Sequence, residues 1–285
     1  MDNFYRFFSC KEEQDGGYRD INALKDSYLW FSSTHDFNDP FEGLYTEQLI
    51  FRQAKDISDD EVKQMLFHVT VSNGKDAISN NSCNNTSDRD PVWLFYQKSS
   101  IAESCKSSVE DMLKIIKDTA KVCCFNRDWG ETKTFHNKLM WSHYANGLRG
   151  MCLEFDSTQL DSSLESLNNS EIQGGVVDYS GLTKLDALKL ILDYAKNKNH
   201  GVASVLLQKC KEWEYEQEHR LVSTKNQMMY NKESIKTIFI GQKMNKNRRK
   251  ELIKTVNQLG LTDKLKVGAF RILCQLKFLN IEHGV

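Results

Sequence analysis

At 285 residues the chain is long enough to bury a full core, as one large domain or two small ones. Hydrophobic residues make up 40% and charged residues 27%, and the formal net charge is -1. No global field therefore recruits nucleic acid or an anionic membrane, and any such binding has to come from a local patch.

The elements follow in chain order. Tyr5 to Phe8 reads as a strand, Tyr18 to Ser27 as a helix carrying Ile21 and Leu24, and Leu29 to Ser33 as a strand ending in hydroxyls. Asp59 to Val69 has helical spacing, with Ser58 as its N-cap. Residues 72–91 are rich in Asn, Ser and Asp and have little to bury, which predicts a polar mobile loop. Ser107 to Ala120 is an amphipathic helix, and Lys121 to Phe125 and Gly150 to Phe155 are buried strands on either side of a helix holding Leu139 to Tyr144. Gly174 to Tyr179 is a strand, followed by a helical region from Leu188 towards Cys210. Arg220 to Ser223, Ile235 to Gly241 and Val267 to Leu276 are the last strands, with a helix from Asn245 to Leu259 capped by Gly260. Strands and helices alternate without a regular βαβ beat. The expected class is α+β, with mixed, largely antiparallel sheets and packed helices in a single domain over 1–285.

Punctuation and cysteine usage narrow the setting. Only Pro40 and Pro91 interrupt the chain, so a Pro-rich linker is excluded. The eight cysteines include no Cys-x-x-Cys pair; Cys123-Cys124, Cys152 and Cys274 sit in apolar runs, as small buried hydrophobes of a reduced compartment do. No apolar stretch approaches the ~20 residues that span a bilayer, and the N-terminus lacks a signal-peptide core. The expectation is a cytoplasmic protein without a membrane partner.

Four constellations could carry chemistry. Trp30-Phe31-Ser32-Ser33-Thr34 runs into Phe37-Asn38-Asp39-Pro40-Phe41-Glu42, where Pro40 stiffens the turn that holds Asp39 and Glu42. A tight turn whose Asn and Asp bond their own backbone explains it equally well. Met140-Trp141-Ser142-His143-Tyr144 places Met140 and Tyr144 on one helix face, with His143 beside the core stripe. Such a histidine is a structural hydrogen-bonder more often than a catalyst, and its seven-residue distance from His136 does not suit a zincin, so no metal is assigned. Trp213-Glu214-Tyr215-Glu216-Gln217-Glu218-His219-Arg220, if extended, turns Glu214, Glu216, Glu218 and Arg220 to one face. That face is either a solvated acidic edge or a Glu-x-Glu pair at a cleft rim. Finally Lys243, Lys246, Arg248, Arg249, Lys250 and Lys254 make one helix basic: a solvated face, or a place for phosphates.

Taken together, these blocks resemble an uncharacterised bacterial family with Phe-Asn-Asp-Pro-Phe-Glu, Met-Trp-x-His-Tyr-Ala and Trp-x-Tyr-Glu-x-Glu-x-Arg blocks, matched here at 37–42, 140–145 and 213–220. The order Arg6, then Phe31-Ser32-Ser33-Thr34, then Glu216-Gln217-Glu218 also resembles the ADP-ribosyltransferase superfamily. That resemblance implies NAD as substrate, a macromolecular acceptor (protein or nucleic acid), and a toxin or phage-defence setting with a neutralising antitoxin. It implies catalytic roles for Glu218, facing the oxocarbenium-like centre, and Glu216, orienting the acceptor. Arg6 would hold the pyrophosphate, Ser32 and Ser33 the nicotinamide amide, and Trp30, His143 and Tyr144 the nicotinamide pocket. Two other classes stay open: a metal-dependent nuclease using Asp39, Glu42, Glu216 and Glu218, and a non-catalytic nucleic-acid-binding module using Arg248 and Arg249.

Overall fold

The computed structural model describes residues 3–37, 49–72, 91–170, 172–180, 185–196, 205–270 and 276–280. In chain order the strands are β1 (Asn3–Phe8), β2 (Tyr28–Trp30), β3 (Ser32–Ser33), β4 (Leu49–Ile50), β5 (Lys121–Asn126), β6 (Met151–Asp156), β7 (Gln173–Val176), β8 (Leu185–Asp186), β9 (Glu218–Ser223), β10 (Gln227–Met229), β11 (Ile235–Ile240), β12 (Leu265–Phe270) and β13 (Leu276–Asn280). The helices are α1 (Arg19–Lys25), α2 (Asp59–Ser72), α3 (Pro91–Thr119), α4 (Lys138–His143), α5 (Ser157–Asn168), α6 (Ala187–Lys196) and α7 (Lys246–Leu259). The polar 72–91 stretch lies outside the described residues except at Ser72 and Pro91.

These elements fall into two compact units. The first comprises residues 1–32, 121–177 and 212–285, and is built on a mixed sheet of order β13-β12-β11-β6-β1-β5-β9-β7, with β3 pairing β5 off this path. The fold is α+β, and along this path the pairing is antiparallel except between β11 and β12. A parallel pair needs a crossover, and α7 supplies it, capped at its start by the Asn245 side chain and closed at Gly260, whose φ is 71°. One strand expected over Val267 to Leu276 is thus two, β12 and β13.

Alternation sorts this sheet into two faces. Phe4, Phe125, Leu153, Phe155, Leu221, Ile238 and Ile240 join a large core completed by Ile21 and Leu24 of α1, Leu160 and Leu164 of α5, and Leu252 and Val256 of α7. Tyr5, Phe7, Cys152 and Phe239 point the other way, against Met140 and Trp141 of α4. Burying an aromatic ring of this size contributes roughly 1.5–3 kcal/mol, so the two faces are fixed by where their aromatics go. Trp141 also satisfies its indole, donating from Nε1 to the Phe135 carbonyl at 2.7 Å.

The second unit comprises residues 33–120 and 178–211. Its long helix α3 begins at Pro91, far upstream of the expected Ser107, and buries a stripe of Ile101, Cys105, Val109, Met112, Leu113 and Ile116. Helix α6 contributes Leu188, Leu190 and Leu192. Helix α2 starts on a capping box, as Ser58 predicts: Glu61 N donates to Ser58 Oγ and Ser58 N to Glu61 Oε2. Arg52 ties this unit together through Glu61 and Asp186, at 2.7 and 2.5 Å.

Candidate functional site

One register line across the first unit carries an unusual set of side chains. Tyr5 of β1 pairs with Glu154 of β6 and with Asn126 of β5, and Asn126 pairs with Glu218 of β9. Residues opposite one another share a face. Four adjacent strands therefore set Glu154, Tyr5, Asn126 and Glu218 side by side on the α4 face.

At one end of this row sit the expected carboxylates. Glu216 and Glu218 are both buried. They are not consecutive positions of one strand, as an extended run would make them: Lys211–Glu216 is a turn of 3-10 helix and β9 starts only at Glu218. Between them Gln217 has φ 46°, a left-handed backbone that breaks the extended chain. Glu214 is half-buried and outside the strand, so Glu218 and Arg220 alone share its face. Each carboxylate has its own tether. Glu216 accepts from Tyr144 Oη at 2.5 Å. Glu218 accepts from Arg220 Nη2 at 2.8 Å and Nε at 3.2 Å, and Arg220 is fully buried.

The neighbouring backbone is held as firmly. Asn126 Nδ2 donates to the Glu216 carbonyl at 2.7 Å, and Asn137, which caps α4, donates from Nδ2 to the Tyr215 carbonyl at 2.8 Å. Burial first, then the Glu216 and Glu218 charges, push the Tyr144 phenol well above its ordinary pKa, so it remains a proton donor. Rings continue outward from it: His143 lies 6.5 Å from Tyr144 and 6.4 Å from Tyr215, and Tyr215 lies 6.1 Å from Trp213. His143 itself is exposed, beside the core rather than in it.

The other end of the row is a second polar group. Tyr5 Oη reaches Glu154 Oε1 at 3.1 Å and Asp128 Oδ2 at 3.4 Å; Asn3 Nδ2 donates to Glu154 at 2.7 Å, and Lys133 pairs with Asp128 at 2.7 Å. Burial, then Glu154, raises the Tyr5 phenol too. Sequence reasoning passed over Tyr5, Asn126, Asp128 and Glu154. A signal existed in Glu154, a lone carboxylate inside Met151–Phe155, and in Asn126, which ends an otherwise apolar strand.

Arg6 is not part of this row. It follows Tyr5 on the strand, so it points to the opposite face, where its guanidinium lies 5.5 Å from the Phe8 ring and 5.8 Å from Phe125. Its Nη1 meets Cys123 Sγ and its Nη2 donates to the Trp30 carbonyl at 3.1 Å, while burial holds its pKa below the free value. Trp30, half exposed, belongs to β2, which pairs with β10 rather than with the main sheet. Ser32 closes the first unit's N-terminal stretch and Ser33 opens the second unit. Six of the eight expected residues thus fall into two groups: Glu216, Glu218, Tyr144 and His143 on the α4 face, and Arg6 with Trp30 on the other.

Asp39 and Glu42, on which the nuclease expectation drew, lie outside the described residues, as does most of 37–42. Among the described residues no group of three or more His, Cys, Asp or Glu side chains is placed to hold a metal ion. No described helix is long and apolar enough to cross a membrane.

Residues 140–221 match a family model described as a protein of unknown function (DUF2971), a stretch that runs from Met140 of α4 through Glu216, Glu218 and Arg220 to Leu221 of β9. No curated protein and no solved structure matches the chain.

Proposed function

We propose that the protein cleaves the nicotinamide–ribose bond of NAD and transfers ADP-ribose to a macromolecular acceptor, with its chemistry centred on Glu216 and Glu218. The observation that carries this reading is the pair of buried carboxylates two residues apart, Glu216 accepting from Tyr144 and Glu218 from Arg220. Taking a carboxylate out of water costs several kcal/mol unless it is paired. A carboxylate fixed in place before the reaction can stabilise positive charge that develops beside it.

In this reading the C–N bond breaks with its electron pair leaving on neutral nicotinamide, and the ribose C1 becomes oxocarbenium-like. Glu218, oriented by Arg220, faces that cation. The acceptor nucleophile attacks C1 and gives its proton to Glu216, which Tyr144 aims. The ring series Tyr144, His143, Tyr215 and Trp213 offers flat surfaces for the nicotinamide or adenine. The order of a hydroxyl-bearing second strand and a late Glu-x-Glu, as in ADP-ribosyltransferases, supports the assignment. Arg6 has no part in this centre, so the support rests on fewer motifs than the linear order suggests. A toxin or phage-defence role, with an antitoxin as partner, follows from the same resemblance.

Nicotinamide release from NAD tests it, measured for the wild type, Glu218→Gln, Glu216→Gln and Arg6→Lys with cell extract as acceptor source. Release lost in both glutamine variants, with their folds intact by circular dichroism, and kept in Arg6→Lys is the expected pattern. Release equal in wild type and Glu218→Gln, or absent from the wild type, overturns it.

A further inference from the structure

Helix α7 carries charge that the fold around it does not neutralise. Lys246, Lys250 and Lys254 are exposed and stand at i, i+4 and i+8. At 1.5 Å rise per residue their ammonium groups repeat about every 6 Å along one side of the helix. Lys243, also exposed, lies just ahead of them. The only acid in the helix, Glu251, approaches Lys254 at 3.7 Å with both side chains largely in water. Lys246 and Lys250 make no ion pair among the described residues.

The other two cations of α7 behave differently. Arg248 is buried and used internally, donating from Nη1 to the Arg149 carbonyl at 3.2 Å and lying 5.4 Å from the Tyr18 ring. Arg249 is half-buried, and its Nε has no hydrogen-bond partner.

This layout works against the helix itself. Lys246, Arg248 and Arg249 occupy its first turn, where cations oppose the macrodipole, and like charges at i, i+4 repel. The net charge of the whole chain is -1, so the helix is a local concentration of positive charge. A polyanion relieves both costs at once. No aromatic side chain stands in α7 to stack on a base, which leaves the phosphates as the groups recognised.

We infer that the exposed face of α7, with Lys243, Lys246, Lys250 and Lys254, binds the sugar-phosphate backbone of a nucleic acid without reading its sequence. Since α7 packs through Leu252 and Val256 onto the sheet face opposite Tyr5 and α4, this surface is separate from the Glu216–Glu218 centre. It stands whether or not the protein uses NAD.

The test is fluorescence anisotropy of full-length protein with labelled single-stranded DNA and RNA of one sequence, and with a scrambled sequence, across a salt series and without NAD. Binding should be indifferent to scrambling and should weaken with salt. The triple variant Lys246→Gln, Lys250→Gln, Lys254→Gln should bind at least tenfold more weakly, with a log–log salt slope shallower by about 2, at roughly 0.7 per lost contact on a single strand. Its melting temperature and nicotinamide release should match the wild type. Comparing DNA with RNA identifies which strand is preferred. Equal binding by wild type and triple variant, or binding only to vesicles containing phosphatidylserine and to neither oligonucleotide, overturns the inference.

Discussion

Tyr144 Oη donates to Glu216 Oε1 at 2.5 Å, joining the end of α4 to the turn that delivers β9. The bond links residues 72 positions apart and makes the phenol the donor for a buried carboxylate. The contact helps to fix where the Glu216 carboxylate sits.

Tyr144→Phe removes the donor and leaves the carboxylate in place. The unmet hydrogen bond should cost about 1–3 kcal/mol of stability, read as a lower urea midpoint with an unchanged m-value. If Glu216 takes the acceptor's proton, nicotinamide release should also fall while nucleic-acid binding does not.

Arg220→Met removes two donor contacts from buried Glu218 and should cost about 3–5 kcal/mol, and Glu218→Leu, which takes the carboxylate from buried Arg220, should cost as much. The double variant should recover much of that loss, because neither buried charge remains. Equilibrium unfolding of all four proteins measures the coupling; additive losses would show that the pair is not the interaction the geometry indicates.

Gly150 lies where three strand ends meet. A Cβ there would fall 1.8 Å from the Phe8 carbonyl oxygen and 3.1 Å from Cα of Ala145, both backbone, which cannot swing aside as a side chain can. Gly150→Ala should destabilise by more than about 3 kcal/mol, at the severe end of single substitutions, and a melting curve should show it directly.

Asp161 on α5 has a buried Oδ1 with no hydrogen-bond partner, and burial, then the Glu165 charge, pushes its pKa up to about 6. An unfolded aspartate titrates near about 3.9, so between these values the folded chain holds the extra proton. This residue's effect on stability is therefore most favourable below about pH 4, declines as pH rises, and is at its worst above about 6. Asp161→Asn should flatten that stretch of the stability–pH profile and raise the melting temperature at neutral pH.

Much of the chain's local structure is legible in its sequence, because local physics decides it. The Ser58–Glu61 capping box, the alternation of β1, the apolar runs of β5, β6 and β11, and the Gly260 stop of α7 all follow from spacing and residue type. The α+β class follows as well. The start of α3 is not legible, since Pro91 to Ser100 holds no buried residue and carries no core stripe.

The candidate site divides along the same line. Spacing marks Glu216 and Glu218 as a pair, and the ADP-ribosyltransferase resemblance adds Tyr144 as a nicotinamide-stacking ring. The tertiary structure instead sets Tyr144 as a hydrogen-bond donor to Glu216. Arg6 stands in the right order along the chain, but order carries no information about sheet face. One position separates it from Tyr5, and with a side-chain period of two that single step turns it away from the carboxylates. Tyr5, Asn126 and Glu154 join the row for the complementary reason: they are neighbours only through strand register, which is set by pairings between residues far apart in the chain. Sequence by itself determined much of the local structure and which residues could carry charge, while α5 (Ser157–Asn168) is not among the elements expected from it. Only the packed sheet decided which of those charges share a face.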